Sequence, residues 1–118
     1  MPTEYNAFQR SAQPRRKLAS NTAKSSTTVL YECPQGKSCM IETIVMCNVH
    51  SGNSSIRIHH VGTTESEAIS NAIYYDLSLS AKATTIDDSV KYMTAGDRIL
   101  MQGSSTDHIC ITIYGQES

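Results

Sequence analysis

The sequence lacks tryptophan, has a single phenylalanine and contains no long apolar run. A membrane-spanning helix needs roughly 20 consecutive, mostly apolar residues, and no stretch of this chain approaches that length. Met1–Arg16 also lacks the apolar centre of a secretory signal. We therefore expect a protein that is soluble and intracellular when it is made.

Sequence motifs that carry catalysis or hold a metal ion are also missing. There is no G-x-S-x-G nucleophile elbow, no H-E-x-x-H pair and no phosphate-binding glycine loop. None of the four cysteines forms a C-x-x-C pair of the kind that binds zinc. We therefore predict that the protein is not an enzyme and uses no cofactor and no metal ion.

The cysteines lie in or beside segments with β-strand patterns, where a free thiol behaves as a small apolar side chain. We expect reduced, structural thiols at all four positions, which are Cys33, Cys39, Cys47 and Cys110. The alternative is a disulfide bond, and the bridge that the sequence favours most is Cys33–Cys39, across the Pro34–Lys37 turn.

Charge is distributed unevenly along the chain, although the net charge is only −1. Residues 1–24 carry five basic side chains against Glu4, whereas residues 25–118 carry five basic side chains against ten acids. We predict a basic, flexible or docking arm over residues 1–25 and one β domain over residues 26–118. The basic residues expected to bind a partner are Arg10, Arg15, Arg16, Lys17 and Lys24.

Short segments rich in β-branched and aromatic residues follow the arm, separated by turn-forming residues. This spacing predicts about eight strands and no long helix. The expected strands are Thr28–Cys33, Cys39–Asn48, Ile56–His60, Ala72–Leu79, Thr84–Ile86, Val90–Thr94, Arg98–Gln102 and His108–Tyr114. We therefore predict an all-β fold, an antiparallel β-sandwich that is jelly-roll-like.

The strand Cys39–Asn48 is apolar on both of its predicted faces. Strict alternation places Cys39, Ile41, Val45 and Cys47 on one side, and Met40, Ile44 and Met46 on the other. A strand of this kind is either central in a covered sheet or packed against another subunit.

Several polar residues are candidates for a ligand site. His59 and His60 are neighbours in a strand and point to opposite faces, so they are poorly placed to bind one ion. His50 and His108 are expected at strand ends, where a histidine-lined subunit contact sensitive to mild acid remains an alternative.

Acidic and aromatic side chains supply the other candidates. Asp87 and Asp88, with Asp76 or Asp97, could form a carboxylate cluster if their loops converged, but we expect solvated turn residues. Tyr74 and Tyr75 are expected at a sheet edge or an interface; beside Asp76 they could instead stack on a sugar.

The order of short motifs resembles that of a family of small virion proteins of tailed bacteriophages. The family pattern reads LYT-P-G, VVCN, RI, YYD, AGD and a terminal FG. The matching segments here are Thr27–Tyr31, Pro34–Lys37, Ile44–Asn48, Ile56–Ile58, Tyr74–Asp76, Ala95–Asp97 and Ile113–Gly115, with Gln13-Pro14 in the arm. Glu32-Cys33 and Gln116-Glu117 depart from the family pattern.

The resemblance implies a structural part of a virion that is assembled in the host cytoplasm and has no catalytic residues. We expect a capsid decoration or cement protein, a homo-oligomer with a trimer favoured, that docks through its arm on the major capsid protein. The alternatives are a neck or tail component, or a carbohydrate-binding module for host recognition. Contact with a membrane is not expected, and nucleic-acid binding by the arm is a weaker alternative.

Overall fold

The computed structural model describes residues 15–118, which form nine β-strands and a single turn of 3₁₀ helix, Ile69–Asn71. The strands are β1 (Arg16–Thr22), β2 (Thr28–Glu32), β3 (Ser38–Asn48), β4 (Ser54–Val61), β5 (Ala72–Leu79), β6 (Thr84–Asp87), β7 (Lys91–Thr94), β8 (Arg98–Gly103) and β9 (Ile109–Glu117). Eight of these match the predicted strands to within a few residues at each end.

Two antiparallel sheets pack face to face. Sheet A has the order β1-β9-β3-β6, with β7 also paired to β3, and sheet B has the order β2-β8-β4-β5. The short strands β6 and β7 lie end to end beside β3, on Ile44–Cys47 and Ser38–Ile41 respectively. Counted as one broken strand, they give the strand order of an eight-stranded jelly roll, so the predicted fold class is confirmed.

The predicted boundary at residue 25 is wrong, because β1 belongs to the sandwich. Its residues pair with β9, from Arg16 opposite Gly115 to Thr22 opposite Cys110. This strand is polar in sequence because it lies at the edge of sheet A, where only Leu18 and Ala19 pack against the core. Residues 1–14, including Arg10, lie outside the described residues.

A bulge in β3 changes which side chains face the core. The pairing with β9 shifts between Ile41 and Thr43, so Glu42 is an extra residue that reverses the alternation beyond it. The core side of β3 therefore carries Cys39, Ile41, Ile44 and Met46. The prediction that Val45 and Cys47 share a face with Cys39 and Ile41 is wrong for this reason.

Gly115 lies opposite the bulge, and its lack of a side chain permits the close approach. A Cβ atom at Gly115 would overlap the Met40 carbonyl oxygen of the neighbouring strand. A second glycine is needed in the Pro34–Lys37 turn, where Gly36 has φ +78°. The Lys37 N–H donates to the Pro34 carbonyl at 3.2 Å, so Gly36 stands at the third turn position, which favours glycine when φ is positive.

Candidate functional surfaces

Three of the five basic residues expected to bind a partner contact acids of their own sandwich. Arg15 Nε lies 3.0 Å from Glu42, Arg16 Nη2 lies 2.8 Å from Glu117, and Lys24 Nζ lies 2.5 Å from Asp107. Solvent screens partly exposed ion pairs of this kind, so each contributes little to stability. These contacts hold β1 and its flanking residues on the sandwich and offset much of the local positive charge. Lys17 is exposed on β1.

The histidines occupy two separate places. His59 is buried and its Nδ1 lies 2.9 Å from Asn71 Oδ1, whereas His60 is half-buried with Nε2 3.1 Å from Asp97. His50 and His108 stack at one end of the sandwich, with ring centroids 3.7 Å apart and an interplanar angle of 7°.

The four carboxylates considered as a cluster are held apart by different partners. Asp76 pairs with Arg57, Asp87 with Lys91 and Asp97 with His60, and Asp88 accepts a hydrogen bond from Thr43. Within residues 15–118, no group of three or more histidine, cysteine or acidic side chains could hold a metal ion.

Cys33 and Cys39 come together in the core as free thiols. Both side chains are buried, and their Sγ atoms are 2.7 Å apart. The Tyr31 hydroxyl lies 3.2 Å from Cys39 Sγ and also hydrogen-bonds to Glu117. Burial and the contact with Cys39 raise the pKa of Cys33 to about 12, which keeps this thiol protonated at neutral pH.

The two tyrosines expected at an interface point in different directions. Tyr74 packs against the core, and burial with a hydrogen bond to Asp87 raises its pKa to about 12. Tyr75 is 47% exposed on the outer face of sheet B. Of the two, Tyr75 is placed to contact another molecule.

The outer face of sheet A carries apolar side chains that no layer of the described chain covers. On its edge strands, Tyr92 is 72% and Ile86 is 58% exposed, and Val90 lies between them at 47%. The register places these beside half-exposed residues of β3 and next to Tyr114 of β9. We call this surface the apolar face; it comprises Met40, Val45, Cys47, Ile86, Val90, Tyr92, Cys110 and Tyr114.

A polar cluster around the buried Asp87 fixes the bend between β6 and β7, which carries much of the apolar face. Asp87 accepts hydrogen bonds from the Ser89 N–H at 2.8 Å, the Ser89 hydroxyl at 2.6 Å and the Lys91 ammonium at 2.8 Å. Burial by itself would raise the pKa of Asp87, but these hydrogen bonds outweigh it and hold the pKa well below 3.8. The bend thus keeps Ile86 and Tyr92 on the same side of the sheet.

Comparisons with known proteins leave the family open. No protein-family model and no curated protein matches the sequence. Among solved structures, a chain in the structure of the infectious bursal disease virus Gx strain is similar, with a TM-score of 0.46 and 12% sequence identity. The match covers 90% of this chain and 31% of that one, and a likeness at this level carries no argument about function. Among residues 15–118, no helix is long and apolar enough to cross a membrane.

Proposed function

We propose that this protein is a non-enzymatic structural subunit of a bacteriophage virion, and that its apolar face packs against a neighbouring subunit. The observation that carries the proposal is the exposure of three large apolar side chains, Ile86, Val90 and Tyr92, along the β6–β7 edge of one sheet face. Exposed apolar patches mark interaction sites on soluble proteins. The sequence resemblance to small virion proteins supports the virion as the place of assembly.

Within the virion, we propose a capsid decoration role ahead of a neck or tail role. Repetition around a symmetry axis lets a modest contact act many times, and a homo-oligomer, with a trimer favoured, is the expected unit. Arg15, the first described residue, contacts Glu42 on the outer side of sheet A, beside Met40 and Val90 of the apolar face. We therefore keep the docking role of the arm for residues 1–14, with the major capsid protein as the proposed partner.

Copy number in purified particles tests the virion assignment. Quantitative mass spectrometry would measure the abundance of this protein relative to the major capsid protein. Hundreds of copies per particle would support decoration of the whole capsid, and about a dozen or fewer would favour the neck or tail. Absence from the particles would overturn the proposal.

A paired substitution tests the apolar face. We expect Ile86→Ser with Tyr92→Ser to abolish self-association and attachment to particles, because each buried side chain of this size contributes about 1.5–3 kcal/mol. Loss of both side chains should raise the dissociation constant of self-association, and that of attachment to particles, by at least about a hundredfold. Light scattering after gel filtration and co-sedimentation with particles would measure the two effects.

The matched control is Val29→Ser, which removes an apolar side chain that is 48% exposed on the outer face of sheet B. This variant should assemble like the wild type. Normal assembly of the Ile86 and Tyr92 double variant, with its fold intact by circular dichroism, would exclude the apolar face as the contact.

A further inference from the structure

The edge strand β5 contains a bulge that brings two neighbouring side chains onto one face. Ile56 pairs with Leu77 and Ile58 pairs with Tyr74, so Arg57 alone stands opposite both Tyr75 and Asp76. Asp76 adopts φ +60°, which is uncommon for a residue with a side chain. Bulges re-aim side chains and often lie next to binding sites. As a result, Tyr75 and Asp76 are both exposed on the outer face of sheet B.

Arg57 is fixed between these two residues. Its Nε and Nη2 atoms donate to the two carboxylate oxygens of Asp76 at 2.6 Å and 3.1 Å. Its Cζ atom lies 4.1 Å from the centre of the Tyr75 ring, and that ring packs edge-to-face with His59 at 6.4 Å. A guanidinium group has five N–H donors, so three remain after the contact with Asp76. The contacts therefore orient Arg57 and leave it donors for a ligand.

A cleft of about 260 Å³ opens beside Arg57 and Asp76. Its remaining lining is polar and is contributed by Ser25, Ser55, Gln102, Gly103 and Ser104. Hydrogen bonds hold these walls in place. The Ser55 N–H donates to Ser104 Oγ at 3.0 Å, and Gln102 Nε2 donates to the Ser25 carbonyl at 2.9 Å.

The chemistry of the cleft selects a neutral, hydroxyl-rich ligand. Asp76 cancels the positive charge of Arg57, which disfavours a phosphate or another anion. The polar lining disfavours an apolar ligand. A carboxylate acceptor beside guanidinium donors matches adjacent hydroxyl groups, each of which can donate and accept. The volume is below the roughly 300–1,000 Å³ of sites for drug-sized molecules, so one small unit would fill it.

We propose that this cleft binds one neutral sugar unit of a polysaccharide, with Arg57 and Asp76 holding adjacent ring hydroxyls and Tyr75 supporting the guanidinium. The site lies on sheet B and is separate from the apolar face of sheet A. It gives the protein a binding activity beyond a role in assembly, and it does not depend on that role.

Titration of the isotope-labelled full chain with glucose, galactose, mannose or N-acetylglucosamine, followed by amide NMR spectra, tests the proposal. We expect at least one sugar to shift the amide signals of Asp76, Gly103 and Ser104, with a dissociation constant in the millimolar range. Inorganic phosphate is the competing probe. Shifts at these amides with phosphate and with none of the sugars would overturn the proposal, as would no shift with any probe.

Two glycine substitutions separate binding from backbone effects. Asp76→Gly removes the carboxylate while glycine tolerates φ +60°, so the fold should be retained and sugar binding should fall at least tenfold. Lys82→Gly is the matched control, because Lys82 has φ +61° and does not line the cleft. This control should bind like the wild type. Unchanged sugar binding by Asp76→Gly would refute the assigned role of the carboxylate.

Discussion

Replacement of Asp87 by asparagine should destabilise the protein far more than the same change at the next residue. The side chains of Asp87 and Lys91 are only 8% and 13% exposed, so Asp87→Asn leaves a mostly buried ammonium without its counter-charge. Breaking a buried pair costs about 3–5 kcal/mol, and the amide retains part of the hydrogen bonding to Ser89. We therefore expect a loss of about 2–3 kcal/mol, which lowers the melting temperature by roughly 10 °C for a domain of this size.

The control for this prediction is Asp88→Asn. Asp88 is exposed and accepts a hydrogen bond from Thr43 at 3.2 Å, so its replacement should change stability by less than about 0.5 kcal/mol. Thermal unfolding followed by circular dichroism would measure both variants. Equal melting temperatures for the two variants would refute the assignment of a buried pair to Asp87 and Lys91.

The pH dependence of stability gives a second measure of the same interaction. The pKa of Asp87 is lowered in the folded protein from an ordinary value of 3.8. A lowered folded-state pKa means that the stabilisation is present above the unfolded value and is lost as the pH falls below it. Between pH 5 and pH 2 the wild type should therefore lose more stability than Asp87→Asn. Parallel pH profiles would contradict the lowered pKa.

Two further substitutions test the close contacts of the fold, with urea unfolding as the measurement. Gly115→Ala should lower the free energy of unfolding by about 3 kcal/mol, or prevent folding, because the added methyl group would meet the Met40 carbonyl. Gly36→Ala should lower it by only about 1–2 kcal/mol. Equal losses in the two variants would contradict the close approach at Gly115. Asn48→Ala should lower the free energy of unfolding by about 2–4 kcal/mol, because the buried side-chain amide donates to three backbone carbonyls. Asn53→Ala, at an exposed position, serves as the control. A loss no larger than that of the control would exclude a structural role for the Asn48 amide.

The sequence predicted β2 to β9 because their turns are marked by residues with particular backbone preferences, such as Pro34 and Gly36. It did not predict β1, since an edge strand with only Leu18 and Ala19 against the core has little apolar periodicity. The prediction of which β3 side chains face the core was wrong beyond Glu42. Strict alternation assumes that every residue pairs with one residue of the partner strand, and the bulge inserts an extra residue. Gly115 was the signal in the sequence for that bulge, but its partner strand could be identified only in the fold.

The candidate surfaces were predictable to different degrees. The apolar character of both sides of β3 was visible in the sequence and was compatible with a central strand in a covered sheet or with packing against another subunit. The pairing of Arg57 with Tyr75 and Asp76 was not, because it depends on a bulge that brings Arg57 opposite residues 18 and 19 positions further along the chain. Such register shifts follow from tertiary packing and leave little trace in local composition.

The break between β6 and β7 has a consequence for how copies of the chain can grow into larger structures. An uninterrupted edge strand offers a row of free backbone groups on which further strands can add without limit, as in fibrils. At this edge, the bend held by Asp87 and Lys91 divides that row into two short lengths of four residues each. Growth by strand addition is therefore interrupted at this edge, where a contact with another chain would depend on side chains, whose shape can specify a contact of fixed geometry.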